Sequence, residues 1–489
     1  MTSRAGAPGN HPRQSRPSVL HSPPVSRRRR VAILAACTVA MLVAQIDSTG
    51  VNLALPSVAR DLRATTGELQ WIVDSYLLVL ASLLMFSGAL ADRAGRRRVF
   101  VSGLLIFGLG SALCSISINP LMLIAMRALQ AIGGSMLAPV ALSIITNTFT
   151  DPRERAQAIG VWGAVVGVGM ALGPIVGGAL VDAVDWRAGF WINLPVLAVT
   201  VPAVLAVVPE SRARAHRGAD APGQLLAVLT LAALSLAIIE GGETSFTAPG
   251  ILTSFAVALL AGAAFIGTER RANDPMIELR FFRSAPFSLA TLMALALFIA
   301  YAGFMFVATL YLQDARGLGP LRAGLLTLPM ALSSACAAPV SGWLVGRTGA
   351  RTPMLAGAAS LTVGSILLLT LLGPTSPLTL FVIAGMCVGA SMGLINTPIS
   401  NTAVSAMPPE RAGVAGATAS TSRQVGQALG VAVLGACLNA GIGAGEPFTT
   451  AARCGWWIML ACGAGLCVMA VACETVRAQR SARRARESW

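Results

Sequence analysis

Lysine is absent from all 489 residues, so each of the 36 basic side chains is an arginine. That lack removes whole classes of mechanism. A nucleotide-binding P-loop needs its Gly-Lys-Ser/Thr, and a Schiff-base enzyme or Ser-Lys protease needs its amine, so none of these can be built here. Histidine is nearly as scarce, and His11, His21 and His216 all lie in polar segments. Their placement disfavours an intramembrane zinc protease and a hydrolase with a histidine base. The nine cysteines fall singly, with no C-x-x-C pair, and read as small packing residues. No enzymatic chemistry, cofactor or metal site is expected.

Charge is the second shortage: only 12% of residues are charged, against about 25% in soluble proteins. The chain is 55% apolar and belongs in lipid. Apolar runs long enough to cross a core of roughly 30 Å as helices recur along it. Fourteen are read, at 31-55, 71-91, 99-118, 120-146, 156-181, 189-208, 222-240, 249-267, 286-312, 321-346, 353-372, 378-404, 412-438 and 454-473. The net charge of +15 suggests a nucleic-acid partner until the charges are placed. With both termini in the cytoplasm, 28 of the 36 arginines fall in inner loops and tails. This positive-inside bias supports an even number of spans, with the lipid bilayer and no nucleic acid as partner; a bacterial inner membrane is the expected location.

Three sequence matches link the two ends of the chain. Gly88-Ala-Leu-Ala-Asp92-Arg93-Ala-Gly95-Arg96 has a worn copy in Gly342-Trp-Leu-Val-Gly346-Arg347-Thr-Gly349-Ala350, at an offset of 254. Pro152-Arg-Glu-Arg-Ala156 pairs with Pro408-Pro-Glu-Arg-Ala412, and Val168-Gly-Met-Ala-Leu-Gly173 with Val425-Gly-Gln-Ala-Leu-Gly430, at offsets of 256 and 257. Spans 1 to 6 therefore correspond to spans 9 to 14, an arrangement of transporters with substrate near the midplane. The expected organisation is a disordered tail at 1-30, a six-helix half at 31-208, a linker with two extra helices at 209-285, a second half at 286-473 and a tail at 474-489.

These residues resemble the major facilitator superfamily, in particular its fourteen-span drug:proton antiporters. Gly88 to Phe100 is similar to the superfamily's charged hairpin, and Arg127 with Gln130 and Gly133 to its span 4 pattern. Gly169, Gly173, Pro174, Gly177 and Gly178 fit its antiporter motif, and Asp47 to Pro56 resembles the branch's span 1 signature, with Gly50 in place of a branched residue. The resemblance implies an all-α polytopic fold that exports small hydrophobic or cationic compounds, such as antibiotics, in exchange for protons, and is expected to act as a monomer. Export of an endogenous solute stays open beside it, and a transporter-like sensor ranks below both.

The chemistry is expected at four charges. Asp47, about 24 Å along span 1, must face a cavity or a partner, because an isolated charge there is costly, and it is the favoured coupling residue, exchanging a proton, attracting a cationic substrate, or both in turn. Arg127 is read at equal depth in span 4, making a charge pair or a water-bridged relay. Asp74, beside Trp71 and Tyr76, is either a hydrated residue of the interfacial belt or a functional acid. Arg423 in span 13 binds an anionic group or caps a helix carbonyl. Glu240 is expected in solvent. The Gly88, Asp92, Arg93, Gly95, Arg96 hairpin is read as a cytoplasmic gate, with Asp92 capping the next helix. Gly169, Gly173 and Gly177 line one face of span 5, which Pro174 can kink, as a seam between halves. Tyr301, Phe304 and Phe306 are read as packing residues, with a substrate-binding wall as the alternative.

Overall fold

Among the described residues, fourteen helices are long and apolar enough to cross a membrane, one for each apolar run. They are span 1 (Arg27–Leu62), span 2 (Thr66–Ala94), span 3 (Arg96–Ser115), span 4 (Pro120–Thr148), span 5 (Pro152–Ala183), span 6 (Ala188–Val207) and span 7 (Ala221–Glu243). Span 8 (Pro249–Arg271), span 9 (Ala285–Ala315), span 10 (Pro320–Thr348), span 11 (Arg351–Leu371), span 12 (Leu378–Ser405), span 13 (Ala412–Gly443) and span 14 (Phe448–Cys473) follow. The structure, a computed structural model, describes residues 26–212, 220–272, 275, 277–373, 375–405, 407, 412–473 and 475. The expected tails lie outside it except at 26–30 and 475, as do the three histidines and residues 408–411 of the repeat.

Local chemistry sets the helix ends. Thr65 and Glu68 cap span 2 reciprocally, through Glu68 N to Thr65 Oγ1 at 3.2 Å and Thr65 N to Glu68 Oε2 at 2.8 Å. Asn119 and Asp151 accept the free amides of spans 4 and 5, each of which begins on a proline that has no amide to waste. Both copies of the hairpin turn on a glycine in the left-handed region, Gly95 at φ 110° and Gly349 at φ 81°. The worn copy has kept its turn even though its acid is gone.

Packing repeats with the sequence. Span 1 lies on span 5 as span 9 lies on span 13, and span 2 on span 4 as span 10 on span 12. Across the halves, span 2 meets span 13 and span 5 meets span 10, contacts that exchange under the same repeat. Span 7 lies against spans 2 and 13, and span 8 is held mainly by span 7. The even-to-odd turns, the start of span 1 and the end of span 14 share one end of the bundle, here called the arginine-rich end.

At the opposite end the halves are sealed together. Gln70 Nε2 donates to the carbonyls of Val431 and Ala432 at 3.0 and 2.9 Å, and Gln313 Nε2 to that of Leu53 at 2.9 Å. A Cβ on Gly178 would stand 2.6 Å from the Pro320 carbonyl, and one on Gly324 would collide with that of Pro174. The stripe at 169, 173 and 177 does not face the other half. It packs on span 1, where a Cβ on Gly177 would come 2.7 Å from Gly50 O. Gly50 is itself required there, since its own Cβ would lie 2.9 Å from Gly173 O. From this motif, Gly178 and the Pro174 carbonyl serve the seam between halves.

The aromatic cluster of span 9 divides. Phe304 stacks on Phe381 at 5.7 Å and, like Phe306, is buried in packing, whereas Tyr301 turns to the cavity described below. The cysteines depart from expectation in one place: Cys437 and Cys454 bring their sulfur atoms to 2.7 Å between spans 13 and 14. Mild oxidation with copper-phenanthroline should therefore cross-link this pair, giving a fragment that stays joined after cleavage between the two spans. Cys454→Ser should abolish the link. Failure to cross-link in the wild-type chain would put the packing of span 14 in error.

Candidate transport site

Two polar regions occupy the bundle. The first is buried inside the N-terminal half. Arg127 Nη1 donates to Asp47 Oδ2 at 2.7 Å, and both side chains are only 1% exposed. The other carboxylate oxygen accepts from Gln130 Nε2 at 2.9 Å and Asn193 Nδ2 at 2.7 Å. Ser111 ties the cluster to span 6, accepting from Asn193 at 2.8 Å and donating to the Phe190 carbonyl at 2.9 Å. The guanidinium also lies 4.2 Å from the centre of the Tyr76 ring. Five spans meet at this pair. An ion pair taken out of water holds only when its remaining lone pairs and protons are satisfied, which these neighbours accomplish.

The second region is a cavity of about 1100 Å³ between the halves. Asn52, Tyr76 and Arg127 line its deep part, and Asp92, Asp220 and Glu278 its mouth at the arginine-rich end. It is closed at the opposite end by the seals already described. Arg423 stands on its wall, donating to Ser400 Oγ at 3.1 Å and Ser420 Oγ at 2.6 Å. It caps no helix carbonyl among the described residues. The hairpin borders the mouth, and among the described residues its hydrogen bonds go to the N-terminal half and the segment just after span 6, none to the C-terminal half. Asp92 pairs with Arg96 at 3.0 Å, and Arg93 is exposed. Asp92 does not cap span 3. Glu210, from the segment after span 6, accepts the amides of Arg97 and Arg98 at 3.2 and 3.3 Å in its place.

Comparison with known proteins decides the family. The model described as Major Facilitator Superfamily matches residues 37–431. The chain belongs to that superfamily. It is 36% identical to the multidrug resistance protein Stp of Mycobacterium tuberculosis, over 85% of this chain and 77% of that protein. It is 35% identical to a methylenomycin A resistance protein of Streptomyces coelicolor, over 83% and 85% of the two chains. To the multidrug efflux pump LfrA of Mycolicibacterium smegmatis it is 34% identical, over 83% and 80%. In fold it matches a bacterial homologue of the human lysosomal transporter Spinster, with a TM-score of 0.60 at 19% identity over 94% and 99% of the chains. This is a membrane transporter and not an enzyme.

Within that superfamily frame, the expected Asp47–Arg127 pair is present, but Asp47 faces its partners and not the cavity. Asp74 is fully buried, which removes the hydrated alternative, and neither of its oxygens has a hydrogen-bond partner among the described residues. Glu240 is not left to solvent either, since it accepts from Trp71 Nε1 at 3.3 Å. Sequence reasoning missed Asn193, Ser111, Glu210 and Gln70. Polar residues inside apolar runs were the available signal for the first two, and Gln130 sits one helical turn from Arg127 on the same face.

Removing one partner from a buried pair leaves an unpaired charge and costs about 3–5 kcal/mol. Asp47→Asn should therefore sharply lower the thermal unfolding temperature of the detergent-solubilised protein. Asp47→Asn combined with Arg127→Gln should recover part of the loss. An Asp47→Asn protein that melts with the wild type would show that the pair does not hold the half together.

Proposed function

We propose that this chain is a secondary active exporter of small, largely hydrophobic compounds, driven by protons entering the cell as substrate leaves. The observation that carries the reading is the cavity, open at one end and closed at the other by direct contact between two repeated halves. Rocking the halves about a midplane site exchanges the open and closed ends. The arginine-rich end is assigned to the cytoplasm of a bacterial cell on the positive-inside rule. The structure is then open inward, with the Asp92 hairpin disengaged from the other half. The resistance and efflux relatives support a toxic or antibiotic-like cargo.

Asp74, in place of the Asp47 favoured from sequence, is assigned the coupling proton. It lies eight residues into span 2, about 12 Å from the closed end, one turn from the Gln70 that seals it. A carboxylate with no donor is costly to bury, so the neutral acid suits the sealed arrangement. Opening that end would expose Asp74 to outer water, where proton exchange is possible.

The test is expression in an efflux-deficient bacterium, with resistance and energised efflux measured over a panel of toxic compounds. Wild type should export some of them and stop when the whole proton gradient, pH difference and membrane potential together, is collapsed with nigericin plus valinomycin in potassium buffer. Asp74→Asn, locked neutral, should lose uphill efflux by more than tenfold yet keep downhill exchange of substrate in proteoliposomes. Efflux that survives the loss of the gradient would sink proton coupling, and wild-type uphill efflux by Asp74→Asn would sink the assignment of Asp74.

A further inference from the structure

Four charges have been placed in or beside the cavity's deeper wall, and they do not have equal freedom to meet a substrate. Asp47 and Arg127 neutralise each other at 2.7 Å, and Asp74 does not line the cavity. Arg423 is different. It lies eleven residues into span 13, about 16 Å from the arginine-rich end. Its recorded partners are the two neutral hydroxyls of Ser400 and Ser420, and no carboxylate pairs with it among the described residues.

The acids that line the cavity among the described residues, Asp92, Asp220 and Glu278, are all at the mouth. Asp92 is already paired with Arg96, and Asp220 caps span 7 by accepting from Gly223 N at 2.9 Å. A cation that reached the interior would find no anion there and one unopposed positive charge. For an anion the balance is reversed, because charge attraction strengthens as the surroundings become less polarisable. A guanidinium held by two hydroxyls keeps further N–H donors in a planar fork that suits a carboxylate or similar paired oxygens.

The rest of the wall is of two kinds. Near Arg423 it is polar, with Gln424 and Gln427 on the same span, and Asn396 on span 12 keeps a buried carbonyl oxygen without a donor. Across the cavity it is apolar and aromatic, with Phe298, Tyr301 and Met305 of span 9. A ligand that fits both has an anionic oxygen at one end and an apolar body at the other.

We propose that Arg423 is a substrate-recognising residue and that the cargo is an amphipathic organic anion, bearing a carboxylate, enolate or phenolate, in preference to a cation. The inference rests on the export reading and replaces the cationic cargo considered from sequence.

The full-length protein in neutral phosphatidylcholine nanodiscs would be titrated with two dyes on one xanthene scaffold, anionic fluorescein and cationic rhodamine 6G, followed by fluorescence polarisation. Fluorescein should bind the wild type at least tenfold more tightly than rhodamine 6G. Arg423→Gln should weaken fluorescein at least tenfold and leave rhodamine 6G within twofold, while Arg423→Lys, which keeps the charge and loses the fork, should fall between. Equal or tighter binding of rhodamine 6G by wild type, or equal weakening of both dyes by Arg423→Gln, overturns the assignment. Binding preference is read without turnover. A wild-type chain that prefers fluorescein but exports nothing from cells would defeat the export reading alone, whereas one that exports cations and is indifferent to Arg423→Gln would defeat the anion reading alone.

Discussion

An arginine buried in a lipid-embedded bundle must bring its counter-charge with it, and the N-terminal half is assembled around that requirement. Lipid supplies neither hydrogen bonds nor water to disperse charge, so Arg127 can sit at 1% exposure only because Asp47 meets it at 2.7 Å. The carboxylate then needs donors for its second oxygen. Gln130 and Asn193 supply them, and Asn193 in turn reaches Ser111. Each satisfied group fixes another helix, so the polar cluster sets the mutual positions of spans 1, 3, 4 and 6.

The apolar contacts obey a different rule. Between hydrocarbon and hydrocarbon there is little to choose, so helices are held by how closely their backbones approach. Gly50, Gly173 and Gly177 bring spans 1 and 5 together at backbone distance, and Gly178 with Gly324 does the same between spans 5 and 10. One helix thus serves an internal seam and a seam between halves on adjacent faces. The seam between halves is short and lies at one end, leaving the halves free to part elsewhere.

The fold was legible in the sequence because the membrane simplifies it. Span length, loop arginines and a repeat at a near-constant offset depend on few long-range details, and the fourteen helices follow the fourteen apolar runs. The Asp47–Arg127 pair was legible from depth alone, since two opposite charges at one level of a small bundle have few other places to go. What the sequence did not hold was direction around the helix axis. It left Asp47 to face either a cavity or a partner, and the partner on span 4 is what it meets, while the glycine stripe was expected between halves and faces span 1. A rotation of a third of a turn separates those outcomes, and apolar periodicity in a span surrounded by lipid and protein is too weak to fix it. Glu210 was missed for another reason: its role is set by a chain reversal more than a hundred residues from the amides it caps.

The same distinction bears on which acid can carry a proton through a transport cycle. Asp47 is held by one cation and two amide donors in the conformation described, and protonating it would strand Arg127 without a counter-charge in the interior of its own half. Such a step would loosen five packed helices on every turnover. Asp74 has no donor among the described residues and lies beside the contact that, in the proposed cycle, breaks when the opposite end opens. Gaining or losing its proton changes the balance at one seam and leaves the halves intact. Rigid halves that rock as bodies require that the charge holding each half together and the charge that changes during the cycle be different groups. On the proposal that Asp74 carries the proton, they are two residues on neighbouring spans, one saturated with partners and the other with none among the described residues.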